Sequence, residues 1–218
     1  MQCILAEAER LYGAHDVPFF TCSVKYVDGK KVPTFPTAWQ RGELERARYR
    51  NAVAIRGGFV PDAPLSLVIV DADGDDAIAT FTDLARRTGV DLSAVPQVQT
   101  QRGPGGRHYY FRAVANTRSA LLRSAAKIFV DGTETCIDVR AGSNGTGVGC
   151  VFAPPTAVTG GGKYLLLDGP AIHEAPPMPD ALAYALQPPI RAPRSASQAV
   201  RLPPVASSTG AMTKPPRA

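Results

Sequence analysis

Two aspartates one residue apart, Asp71 and Asp73, close an apolar run from Leu65 to Val70. A run of that length and β-branched content reads as a buried strand. Residues i and i+2 of a strand point to the same side, so both carboxylates face one spot at the strand's end. Two hard oxygen ligands converging there begin a Mg2+ or Mn2+ site. Two further stretches carry chemistry. Gly105-Gly106-Arg107-His108-Tyr109-Tyr110-Phe111 is a glycine turn leading into a strand with a basic pair. Cys136-Ile137-Asp138-Val139-Arg140 sets a lone aspartate in an apolar strand, where an unpaired carboxylate is costly to bury.

Each stretch also has a plainer reading. An Asp-x-Asp at a strand end serves as a turn and helix cap. It is not an EF-hand loop, because position six would be Asp76 rather than glycine and position twelve Thr82 rather than glutamate. A Gly-Gly turn before a strand is an ordinary hairpin, and a lone histidine is commonly structural. Arg140, on the same strand face as Asp138, is that aspartate's plain ion-pair partner.

The elements that must position these residues follow from periodicity and punctuation. Residues 3–14 read as a short amphipathic helix ended by Gly13, and Val17 to Val24 as a strand. Tyr26 to Pro36 reads as a loop, Thr37 to Arg50 as a helix holding Trp39, and Asn51 to Ile55 as a strand. After the acidic strand, Ala77 to Thr88 has helical periodicity, with Asp75 or Asp76 placed to cap it. Pro96 to Gln101 and Arg107 to Ala113 are extended and joined by Arg102-Gly103-Pro104-Gly105-Gly106. Asn116 to Ala126 reads as a helix. Lys127–Val130, Thr135–Arg140, Val148–Phe152 and Lys163–Leu167 read as strands, with a Gly/Asn-rich turn at 141–147. Pro179 to Leu186 reads as a last short helix. Strands and helices do not alternate strictly, so the expected class is α+β.

From Gln187 to Ala218 the sequence is rich in Pro, Ser, Ala and basic residues without periodicity, which predicts a disordered tail after a domain of residues 1–186. The net charge of +5 resides in that tail. Five of the 24 Lys and Arg residues lie there without an acid, and the remaining 19 balance the 19 Asp and Glu residues. A globally basic nucleic-acid-binding body is therefore not indicated, whereas local patches are open. No apolar stretch is long enough to span a bilayer, and Met1–Tyr12 lacks a signal-peptide layout, so the default expectation is intracellular and cytoplasmic. Cys3, Cys22, Cys136 and Cys150 form no C-x-x-C pair and read as reduced, mostly buried thiols.

Taken in order, the three stretches resemble the motifs of the archaeo-eukaryotic primase superfamily, and most closely its bifunctional DNA primase/polymerase branch. That branch has an apolar strand ending D-x-D, then G-G-x-H entering an aromatic strand, then an apolar residue, Asp and a following Arg. The likeness continues through Val151-Phe152-Ala153-Pro154-Pro155-Thr156 and Gly162-Lys163-Tyr164, with Thr156 where serine is usual. Upstream, Leu5–Tyr12, Val17–Phe20, Lys31–Pro33 and Trp39 follow its helix, strand, Lys-Pro and Trp order loosely.

The resemblance implies an α+β primase-polymerase catalytic domain with a mixed or antiparallel sheet and flanking helices. It implies template-directed nucleotidyl transfer with Mg2+ or Mn2+ held by Asp71, Asp73 and Asp138. It makes His108 the donor to the triphosphate, Arg107 a second phosphate contact, and Thr100 and Arg102 weaker ones. The implied partners are a single-stranded or primed DNA template, nucleoside triphosphates, and a helicase or other replication protein in trans. Two rivals stand beside this reading. One is a metal-dependent nuclease or template-free nucleotidyltransferase built on the same carboxylates. The other is an inactive single-stranded-DNA-binding module of a replication system, using aromatics such as Tyr109, Tyr110 and Phe111.

Overall fold

The structure is a computed structural model that describes residues 4–28, 30–41, 43–142, 148–158 and 162–187. The expected tail lies outside the described residues beyond Gln187, as do Cys3 and most of the 141–147 turn.

In chain order the elements are α1 (Ile4–Tyr12), β1 (Phe19–Val27), β2 (Lys30–Thr34), β3 (Ala52–Arg56), β4 (Leu67–Asp73) and α2 (Asp75–Arg87). There follow β5 (Gln97–Gln99), β6 (Gly106–Arg112), β7 (Phe129–Val130), β8 (Thr133–Glu134), β9 (Ile137–Arg140), β10 (Cys150–Ala153), β11 (Leu165–Leu166) and α3 (Asp180–Ala185). One sheet has the order β10-β3-β1-β2, a second has β11-β5-β6-β4-β9, and β7 pairs with β8. Every named strand pair is antiparallel. The class is α+β, as the broken alternation of elements predicts.

β4 is central because both of its faces are covered. Leu67 and Ile69 join Val98 and Tyr110 in one core, shared with α1 and the four-stranded sheet. Val68, Val70 and Ala72 join Tyr109, Phe111, Ile137 and Val139 in a second core, under α2 and α3. The site-bearing sheet is thus a middle layer. Burying one Val, Leu or Ile side chain contributes about 1.5–3 kcal/mol, so this strand is firmly held. Polar residues enter it only at its last turn of sequence, Asp71 and Asp73.

Gly74, at φ 105°, turns the chain from β4 into α2 through a backbone region that favours glycine. The expected side-chain cap from Asp75 or Asp76 is absent. Gly74 is the N-cap, and both aspartates sit in the first turn, where they meet the positive end of the helix.

Several expected elements are different, and each time strand pairing outweighs local composition. The described residues of the segment 37–50 do not form an α-helix. After a 3-10 turn at Trp39–Arg41 it runs irregularly along β1, with Thr21 N–H donating to Glu45 O and Ala47 N–H to Thr21 Oγ1. It satisfies the part of the β1 edge that β2 leaves open. The expected loop 26–36 is largely β2, which pairs with Ser23–Val27 of β1. The segment 116–126 is helical only as a 3-10 turn at Arg118–Leu121. Near its end Ala125 meets the edge of β9 through reciprocal bonds with Val139, and just beyond the segment Ile128 N–H donates to Ile137 O.

Candidate active site

The strand register assembles the site. Asp71 lies directly opposite His108 on β6 and directly opposite Asp138 on β9. Cross-strand partners share a face, so His108, Asp71 and Asp138 form one row across three strands. Asp73, two residues on, keeps that face and pairs with Gly106. Arg140, two residues beyond Asp138, also keeps it. The three acidic positions inferred from sequence are therefore brought to one side of one sheet.

His108 is buried, with Nε2 3.4 Å from Asp71 Oδ1. Its Nδ1 is buried without a hydrogen-bond partner among the described residues. Arg140 Nη2 lies 2.5 Å from Asp138 Oδ2 and 3.9 Å from Asp71 Oδ2. The second oxygen of Asp138 accepts from Lys127 N–H at 2.8 Å. Arg102 Nε lies 3.0 Å from Asp73 Oδ1. Burial opposes ionisation of Asp71, but the attraction and hydrogen bond of His108, helped by Arg140 and Lys31, hold its carboxyl below its ordinary value. Burial and the charge of Asp71 push the Asp73 carboxyl up, against Arg102, His108 and Lys31.

Gly106 has a packing reason to be glycine. Thr100 N–H donates to Gly106 O, and a Cβ at position 106 would collide with Thr100 Oγ1. The missing side chain lets the buried Thr100 approach beside Asp73. Thr100 Oγ1 in turn accepts from Arg102 N–H at 3.3 Å. Arg107 is not brought to the carboxylates. It alternates with His108 along β6, so it leaves the opposite face of the sheet, where it donates to Gln97 Oε1.

The other wall of the cleft comes from the four-stranded sheet and the chain after β10. Lys31 on β2, Phe35, Phe152 and Tyr164 face Asp71, His108 and Arg140 across a cavity of about 170 Å3. Lys31 Nζ is 2.8 Å from Tyr164 Oη and lies over the Phe152 ring at 5.5 Å. Burial pulls the Lys31 amine down, while Asp71 and Asp73 push it up. Lys31 and Tyr164 enter the sequence reading only as motif neighbours. A Lys-Pro pair carries no local signal of facing an acidic strand some forty residues away.

The donor set suits a hard divalent ion: carboxylate oxygens from adjacent strands on one sheet face. As folded, the same oxygens are taken by Arg140, Arg102 and Lys127 N–H. Accordingly, no group of three or more His, Cys, Asp or Glu side chains among the described residues is already arranged to hold a metal ion. Carboxylates this close need compensating positive charge, and the protein's own cations supply it here. Beyond Asp73, a separate hollow is lined by Asp75, Asp76 and Glu134, a wall unfavourable to a polyanion.

A middle sheet bearing acidic residues and a histidine on one face, in an α+β frame, is consistent with a primase-polymerase domain. The family model for the bifunctional DNA primase/polymerase N-terminal domain matches residues 15–181, and the chain belongs to that family. Membership carries primase/polymerase-type nucleotidyl transfer, with DNA and nucleotides as substrates, at the level of the family. No curated protein and no solved structure matches the chain. No helix among the described residues is long and apolar enough to cross a membrane.

Proposed function

We propose that this domain transfers nucleotides from nucleoside triphosphates to a primer 3′-hydroxyl on a DNA template. The observation that carries the reading is the row His108–Asp71–Asp138 fixed by the register of β6, β4 and β9. Asp71, Asp73 and Asp138 would hold Mg2+ or Mn2+. Such an ion supplies charge to the attacking and leaving oxygens of an in-line displacement.

The chain's own residues do the positioning. His108, which lines the cleft beside Asp71, donates to the triphosphate. Lys31 approaches from the facing wall as a point charge on the same phosphates. Arg102 and Thr100 border the Asp73 end of the row. The cleft is smaller than the roughly 300–1,000 Å3 of whole-ligand pockets. It therefore takes the phosphate end, leaving base and template outside. Arg107 has no part in this reading, because it leaves the other face of the sheet.

The test is extension of a primed template with Mn2+ by the purified protein and by Asp71→Asn and Asp138→Asn. Each variant should lose about 10²–10³-fold in rate, as expected when charge stabilisation of the transition state is removed. Near wild-type extension by both variants would refute the assignment. His108→Ala separates the nuclease rival, which needs no triphosphate contact and should scarcely respond.

A further inference from the structure

We propose that Arg140 is a stand-in cation for the Asp71–Asp138 pair. It must leave when a divalent ion enters, and the released guanidinium turns to the anionic phosphates of the substrate. The inference rests on the reading that these carboxylates hold such an ion.

Pairing of β4 with β9 sets Asp71 directly opposite Asp138. Like charges at directly opposed positions are destabilising, so this register needs a cation on that face. Arg140 reaches both carboxylates. Arg140 Nη2 lies 2.5 Å from Oδ2 of Asp138 and 3.9 Å from Oδ2 of Asp71, on the carboxylates that would hold the ion. Two positive centres cannot share that place.

The pairing is built to be exchangeable. Asp138 keeps Lys127 N–H on Oδ1 whether or not Arg140 is there, so only Oδ2 changes partner. The guanidinium is not fully satisfied where it is, since Arg140 Nε is buried with no partner among the described residues. Its stem is held against the backbone at Gly149, where an added Cβ would lie 2.9 Å from Arg140 Cδ. Arg140 nevertheless lines the same cleft as Lys31, and its side chain is 30% exposed. Rotation about the outer side-chain bonds moves the guanidinium from the carboxylates to the wall that receives phosphate. Metal and triphosphate then favour one another's binding, and that coupling is reciprocal.

The experiment titrates nucleotide-free protein with MnCl2 and reads the free-ion EPR signal, for wild type, Arg140→Met, Arg140→Lys and Asp71→Asn. Arg140→Met keeps the stem and removes the charge. It should bind Mn2+ about tenfold tighter or more, with Arg140→Lys between it and wild type. In EDTA its melting temperature should fall below that of wild type, and Mn2+ should restore it. Mn2+ affinity unchanged or weakened in Arg140→Met overturns the proposal. If wild type then still binds Mn2+ and Asp71→Asn does not, the metal reading stands without it. Absence of Mn2+ binding in wild type and both Arg140 variants overturns the metal reading and this proposal together. Should Arg140→Met show no cooperative melt, Arg140→Lys decides: tighter binding than wild type supports the proposal, equal or weaker binding ends it.

Discussion

Gly106→Ala isolates the packing that seats Asp73. The backbone at Gly106 is extended, at φ −151°, so alanine meets no conformational penalty there. In open space the change would stabilise by about 0.4–1 kcal/mol through the unfolded chain. The site is not open. The new Cβ collides with Thr100 Oγ1 and lies 3.1 Å from Arg102 Cβ and 3.3 Å from Thr100 Cβ. Thr100 is 4% exposed and has nowhere to retreat. Overpacking of this kind costs about 1–3 kcal/mol, so the net expectation is destabilisation by about 1–2 kcal/mol. At this chain length that is a fall of roughly 3–6 °C in melting temperature. Thr100→Ala alone loses a buried methyl group and the acceptor for Arg102 N–H, but it removes the colliding oxygen. In a double-mutant cycle by urea denaturation, the pair should therefore be about 1 kcal/mol or more less damaging than the sum of the singles. Additive effects, or a more stable Gly106→Ala, would refute the packing argument.

Thr156 Oγ1 accepts from Val53 N–H at 2.8 Å and donates to Val53 O at 3.1 Å, fully buried. Thr156→Val should cost about 2 kcal/mol by removing a buried hydroxyl from the Val53 backbone groups, and Thr156→Ser only about 1; denaturant midpoints would show equal losses if the hydroxyl were idle. Burial pushes the Cys22 and Cys150 thiols up to about 12, whereas Cys136 is exposed. At pH 8, iodoacetamide should label Cys136 well before the other two, as read by peptide mass spectrometry. The raised thiols favour the neutral form in the folded state. Their contribution is complete below about pH 9 and lost as pH rises toward 12, so alkaline titration of the melting temperature should fall across that window and flatten in a Cys22→Ala, Cys150→Ala double variant. Lys31→Met removes the facing charge and should raise the KM for nucleotide about tenfold while changing kcat less; a loss confined to kcat would place Lys31 outside ground-state phosphate binding.

The acidic strand is legible because two signals coincide. The apolar run Leu65–Val70 demands burial, and the period-2 rule then fixes where Asp71 and Asp73 point. The same rule, applied along β6, separates His108 from Arg107, although the sequence alone does not tell which of the two faces the carboxylates. Only the register of β4 with β6 settles that. Asp138 needs a partner by the cost of burying it, and Arg140 is that partner, as its spacing suggests. The segments 37–50 and 116–126 mislead for one reason. Part of each is spent on open strand edges, of β1 and of β9, and pairing with a distant strand leaves no mark in local periodicity. Lys31 is missed as a site residue for the same reason, since its role depends on how two sheets face each other.

The most direct measurement is a crystal structure of the protein soaked with Mn2+ and a non-hydrolysable nucleoside triphosphate, with anomalous scattering to locate the metal. The account predicts a peak bounded by the carboxylates of Asp71 and Asp138, phosphate oxygens beside it, and His108 Nε2 or Nδ1 within hydrogen-bond reach of a phosphate. Metal seated instead among Asp75, Asp76 and Glu134, with the Asp71–Asp138 pair still joined to Arg140, would contradict it.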